Sequence, residues 1–573
     1  MKRPEKPAAV PVRRGVVSKG NPGDLPGSEA LAGDVRVPGA GLRTFRWIWA
    51  AFIILASSVP YLVNWLLTPA GFHYTWIQGP YPEDSLAYMA WSQQAAHGSW
   101  LFQFKYTALP HAGFLFNPFF LICGWITASF GTPIGVTFWL ARAAGVGCFF
   151  GVFFRYLDYL QLNPFQSICA SVLVGISSGF GGLLAFAGLG PRMQQIHLIP
   201  TDLWLVDSNT FWSLCSNPLF PYALTLMVLT IYMLDRGTRK QCMRDIWVSG
   251  FTAGILALIH PYSQPLLSAL ALIMVLVRQR SNALANLTRY FIPMLPFVLY
   301  MGMISELNPL ASSHSVRGAM GSPSPAAYAL GFGLPLLLAI AGLAVRRGGW
   351  MRQYWQIVLW FCLSLGLCYV PFWFQRKLIF GSHIPLCILA AISLDHVLTR
   401  YFPVLKHRFA IVAGAAVLLP LMTASQIQML KAQWNDTQQN MGHLYYVSDD
   451  FMQAIEFLRA KSRPDDIVFA RLASSRLIPA LSGNTVLWGH WAMSVDFEKR
   501  KEWVGQIFQP TGDRDEEVKR AREFWGLNVR YIFADGEVKS TMENYPASWR
   551  SILADADEVF RNTSVVIYRY RKQ

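Results

Sequence analysis

Apolar runs about as long as a bilayer crossing recur from residue 44 to residue 426, and nothing else in the chain constrains its fold so tightly. A helix needs about 20 apolar residues to cross hydrocarbon, and within the bilayer its backbone groups must satisfy one another. About eleven segments qualify on a loose reading of that length: 44–67, 134–157, 166–188, 213–234, 247–260, 263–278, 288–304, 325–345, 354–373, 381–397 and 408–426. The two flanking His260-Pro261 are short, and read either as one kinked span or as a broken pair. A polytopic, mostly α, transmembrane helical bundle is therefore expected over residues 44–427.

Composition agrees. Residues are 53% hydrophobic and only 14% charged, against roughly 25% charged in soluble domains. The net charge of +16 would suggest nucleic acid in a soluble protein. Here basic loops that fix topology, and attraction to anionic lipid or a phosphorylated substrate, explain it better. No phosphate-binding glycine motif follows a plausible strand, which argues against a nucleotide-driven pump. The eight cysteines lie mostly in apolar segments without a CxxC pair, as small buried hydrophobes do.

Residues 1–43, rich in Pro, Gly and basic residues, read as a disordered cytoplasmic tail rather than a signal peptide. With that tail inside, basic stretches at 155–161, 235–245, 278–289, 346–352 and 405–408 all fall on the cytoplasmic side. The loop 68–133 and the region after 427 then face outward. Residues 113–130 are apolar enough to cross, but a crossing would reverse this agreement. With Asn117-Pro118 near their start, they read as a helix lying in the outer leaflet.

After residue 427 the pattern changes. "DDFMQAIEFLRA" and "DRDEEVKRAREFWG" read as amphipathic helices; "DIVFA", "TVLWG", "VRYIFAD" and "SVVIYRYR" read as strands. Residues 428–573 are expected to form a soluble, extracytoplasmic α/β domain.

The outward loops carry the chemistry. Glu83 and Asp84 open a helical segment about a dozen residues beyond the first span, and the same loop holds His111. Both acids could simply complement a helix N-terminus, Asp84 as its N-cap. The second outward loop contributes Asp202 and Asp207. Arg376 and Lys377, followed by His383, sit on the outer side, where the positive-inside tendency makes a basic pair less expected. They either snorkel to lipid phosphates or clamp a bound phosphate, with Arg as a bidentate fork. His260 lies at a span end or break, a place where a polar side chain is a functional candidate. A carboxylate can act as general base on an acceptor hydroxyl, and cations can stabilise a departing phosphate.

The stretches "PEDSLAYMAWSQQAAHGSWLFQFKYTALPHAGFLF", "SNPLFPYAL", "ALIHPYSQP", "PFWFQRKLIFGSHIPL" and "LIPALSGNTVLWGHWAMSVDFEKR" together resemble the multi-spanning GT-C-fold glycosyltransferases, in particular bacterial members of uncharacterised function. The resemblance implies an inverting glycosyltransferase in a bacterial plasma membrane. Its donor would be a polyprenyl-phosphate-linked sugar, and its acceptor a glycan, lipid or protein. It places the first-loop acid, as base or metal contact, at Asp84 with Glu83 adjacent. Arg376 and Lys377 would hold the lipid phosphate, with His383, His111, His260, Asp202 and Asp207 as further substrate-binding candidates. A second motif acid is not fixed by spacing, which leaves room for a divalent cation without requiring one. Two other functions fit the composition: a flippase for lipid-linked glycans, which would need midplane charges or repeats, and a non-catalytic cell-envelope scaffold.

Overall fold

A computed structural model describes residues 38–78, 81–312, 321–345, 353–402, 408–439, 444–509 and 512–571. Most of the expected tail (residues 1–37) and the basic stretch 346–352 lie outside the described residues.

Among the described residues seven helical segments are long and apolar enough to cross a membrane: Ala40–Leu66, Ile134–Tyr159, Leu219–Lys240, Pro261–Arg278, Arg280–Leu307, Pro325–Gly342 and Gln375–Tyr401. These are the length and composition of a multi-pass membrane protein. Several segments have other bounds than the sequence suggests. The segment expected at 166–188 is a 13-residue helix, Pro164–Ile176, that stops where Ser177 turns to extended backbone. The glycines that follow permit close packing: a Cβ on Gly179 would strike the backbone of Leu330 and Gly331, and one on Gly182 the backbone of Ala424 and Ser425. The segments beside His260 are a broken pair. His260 is extended (φ −142°, ψ 76°) and ends the helix Met243–Ile259, as the residue before a proline tends to. The helix Pro118–Phe130 has 13 residues, fewer than the ~20 that a crossing takes. Finally, the helix beginning at Arg408 continues past residue 427 to Gln439.

Acidic residues pair with basic residues at the helix ends. Asp235 is fully buried and accepts from Arg239 Nε at 3.0 Å and Arg278 Nη1 at 2.5 Å, the pairing that a buried charge requires. Arg46 grips Asp158 with both terminal nitrogens, at 2.8 and 2.9 Å, and ties the first span to the end of the helix Ile134–Tyr159.

The C-terminal region forms a five-stranded sheet in the order β4-β3-β5-β7-β6, comprising β3 (Ile467–Phe469), β4 (Thr485–Val486), β5 (Val529–Ala534), β6 (Ala556–Arg561) and β7 (Val566–Tyr570). β3 runs parallel to β4 and β5, while β7 is antiparallel to both β5 and β6. A separate two-stranded ribbon pairs β1 (Phe72–Tyr74), just after the first span, with β2 (Tyr446–Ser448). The helix Pro82–Ala96 packs on the helix Leu472–Leu481, and a single apolar core runs through Leu86, Met89 and Phe120 of the first loop and Ile455, Ile478 and Phe533 of the C-terminal region. The α/β unit is thus seated on the loop that follows the first span, which positions the site below.

Candidate active site

Pro82 occupies the first helical turn of Pro82–Ala96, where its missing N–H costs nothing, with Glu83 and Asp84 directly behind it. The N-cap is Tyr81, and no side chain caps this helix, so Asp84 is not a capping residue. Both carboxylates border one cavity of about 740 Å³. Arg376 and Lys377, on the 3₁₀ turn Gln375–Ile379, border it too, as do Asp207 and His260. Residues almost three hundred positions apart in sequence therefore share one chamber.

Partners separate the two acids. Glu83 forms an ion pair with Arg476 Nη2 at 2.5 Å, whereas Asp84 Oδ1 lies 3.4 Å from His490 Nε2. The Asp84 side chain keeps 42% of its exposure, against 23% for Glu83. Neighbours on a helix point roughly 100° apart, and here each finds a different basic partner.

The cations are held against aromatic faces. Arg376 lies 5.5 Å from the centroid of the Trp204 ring, and Lys377 Nζ 3.9 Å from that of Tyr262. Burial raises the pKa of Asp207, while Lys377 and Arg376 pull it down. The Tyr81 phenol is raised chiefly by burial, with Arg376 lowering it and Asp207 and Asp84 raising it. One phenol thus lies within electrostatic reach of the base candidate, the second acid and the phosphate-clamp candidate. Burial also pushes the Tyr88 phenol well above its ordinary value, with Asp84 adding to the effect.

Three candidates do not reach the chamber. Asp202 accepts from Ser425 Oγ at 2.5 Å and from the Gly181 N–H at 3.2 Å, clamping the break after Ile176 to the helix Arg408–Gln439. His383 is buried between Ser177 Oγ (3.2 Å) and Thr210 Oγ1 (3.1 Å). His111 closes its own loop: Nε2 accepts from the Phe104 N–H at 2.9 Å while Nδ1 meets the Leu109 carbonyl at 2.8 Å. His260 borders the chamber but is braced, with Nδ1 2.8 Å from Ser263 Oγ and its ring stacked on Phe380 at 4.3 Å. Arg476 and His490 were not among the sequence candidates. Among the described residues no three His, Cys, Asp or Glu side chains converge in a way that could hold a metal ion. Asp84 lies beside a histidine, and Asp207 is within electrostatic reach of Lys377 and Arg376.

No family model and no curated protein matches the chain. Solved structures do. The mycobacterial arabinofuranosyltransferase AftD aligns at a TM-score of 0.50 and 16% identity, over 94% of this chain and 42% of that one. The fold is GT-C-like. Archaeal oligosaccharyltransferase AglB from Archaeoglobus fulgidus, in complex with an inhibitory peptide and a dolichol-phosphate, aligns at 0.46 and 13% identity, over 92% of this chain and 75% of that one. ArnT from Cupriavidus metallidurans, bound to undecaprenyl phosphate, aligns at 0.47 and 13%, over 91% and 97%. In this GT-C-like fold the α/β unit and the first loop both line the chamber, Trp491 and Met493 from the one and Asp84 from the other.

Proposed function

We propose that the chain is a membrane glycosyltransferase that moves a sugar from a polyprenyl-phosphate donor to an acceptor hydroxyl at the outer face of a bacterial plasma membrane. The observation that carries this reading is the shared chamber, with Asp84 on one wall and Arg376 and Lys377 on another. AftD, which has the same fold, is an arabinofuranosyltransferase. The acceptor oxygen attacks the anomeric carbon, and Asp84 takes the hydroxyl proton. The bond from that carbon to the phosphate oxygen breaks, and the lipid phosphate leaves with both bonding electrons. Arg376 and Lys377 hold the growing negative charge, where preorganised donors act most strongly. Attack opposite the leaving phosphate inverts the anomeric centre. Glu83, occupied by Arg476, supports the loop.

The test uses purified protein in nanodiscs with a panel of radiolabelled polyprenyl-phosphate pentoses and hexoses. Asp84→Asn is expected to reduce donor turnover by about 10²–10⁴-fold while binding of undecaprenyl phosphate stays within twofold of wild type. Near-normal turnover in Asp84→Asn would remove Asp84 from the role of base.

A further inference from the structure

His490 follows β4 in a tight turn that its own ring organises. Nδ1 accepts from the backbone N–H groups of Ala492 at 3.1 Å and Met493 at 3.3 Å. The Gly489 and His490 N–H groups both donate to Ser494 Oγ, at 3.0 and 3.2 Å. Because Nδ1 accepts, the proton of the neutral imidazole sits on Nε2. That nitrogen is buried and has no hydrogen-bond partner among the described residues. Asp84 Oδ1 lies 3.4 Å from it. Tyr106 and Trp491 flank the ring at centroid distances of 5.7 and 6.0 Å.

We infer that His490 is a positioning residue for the transfer: its Nε2–H holds one oxygen of Asp84 and leaves the other for the acceptor. The inference rests on the reading of Asp84 as the base. Oδ1 accepts from His490, and Oδ2 takes the proton of the attacking hydroxyl. The imidazole keeps its own proton throughout. The 3.4 Å separation is long for a hydrogen bond, as such contacts often are before substrate tightens them. Arg476 makes the parallel contact to Glu83 from the helix that follows β3. Both basic residues thus come from the segments that follow the parallel strands β3 and β4, on the side where sites in such sheets collect. The α/β unit therefore supplies part of the active centre, not only a cover for it.

Two substitutions separate this role from upkeep of the turn. In His490→Asn the amide oxygen takes the place of Nδ1 and can still accept from Ala492 and Met493, but nothing remains at the Nε2 position. In His490→Gln an amide N–H reaches toward Asp84 instead. With the same donor panel, His490→Asn is expected to lower kcat by roughly 10²-fold, with donor KM, undecaprenyl phosphate affinity and melting temperature close to wild type. His490→Gln is expected to recover part of that loss. Wild-type kcat in a folded His490→Asn, or a kcat loss in both variants that only tracks a fall in melting temperature, overturns the inference. If Asp84→Asn is inactive and His490→Asn is normal, only the role of His490 falls; if Asp84→Asn is active, the underlying reading falls as well. A measurement that needs no sugar donor accompanies these: carbodiimide modification of Asp84, read by mass spectrometry. It should run severalfold faster in His490→Asn than in wild type, and equal rates would overturn the contact.

Discussion

Arg376 and Lys377 are adjacent cations with different duties. The guanidinium rests beside Trp204 and offers a planar fork; the ammonium, set over the Tyr262 ring, is a point charge. If the pair grips a lipid phosphate, Arg376→Ala should weaken undecaprenyl phosphate binding by about 1.5–3 kcal/mol, the range for a charge-assisted hydrogen bond. Arg376→Lys should not restore it, because the second parallel bond is lost. Isothermal titration in detergent decides this; equal affinities for wild type and Arg376→Ala would mean that the pair merely meets headgroups. Asp84, Arg376 and Lys377, which border one cavity, stand out in the sequence because charged residues are few beside long apolar runs. Arg476 and His490 do not. They belong to a unit where arginine and histidine are ordinary, and only its seating on the first loop brings them to the acids.

Breaks in helices, more than the helices themselves, decide where the elements of this protein lie. The His260-Pro261 break could be read directly, since proline restricts the residue before it. The stop at Ser177 could not, because two distant backbone segments, 330–331 and 424–425, approach Gly179 and Gly182 there. β6 also escaped: "ADEVFR" is an edge strand with charged, exposed positions, which hide the alternation that marks a half-buried strand. Asp202 braces the Ser177 break and titrates accordingly. Burial raises its pKa from 3.8 to about 7 in the folded protein. The folded form thus keeps a proton that the unfolded chain releases at lower pH, and stability falls as pH rises between those values. Above about pH 7 the loss is complete. Melting temperature should decline from pH 5 to pH 8 in wild type and be flatter over that range in Asp202→Asn. A parallel decline in the variant would assign the pH dependence to other groups.

At the scale of the whole molecule, the first loop and the C-terminal region share one apolar core. The Asp235 network with Arg239 and Arg278 should lie at the face opposite the chamber, on the cytoplasmic side. Single cysteines placed at 239–244 and at 500–505 should therefore react with a membrane-impermeant maleimide from opposite sides of sealed vesicles. Labelling of both sets from one side would mean that a different number of helices crosses.

The ribbon of β1 and β2 joins His73 to Val447, and that pairing sets a timetable. A ribosome adding about 5–20 residues per second needs roughly 20–75 s to travel from one strand to the other. On the outward topology expected for the first loop, it waits across the membrane for that interval, with Leu86, Met89 and Phe120 lacking the C-terminal side chains they will pack against. A chain cut short before residue 446 would leave that apolar surface uncovered and Glu83 and Asp84 without their basic partners. Truncation should therefore produce a target for envelope proteases rather than a slower enzyme.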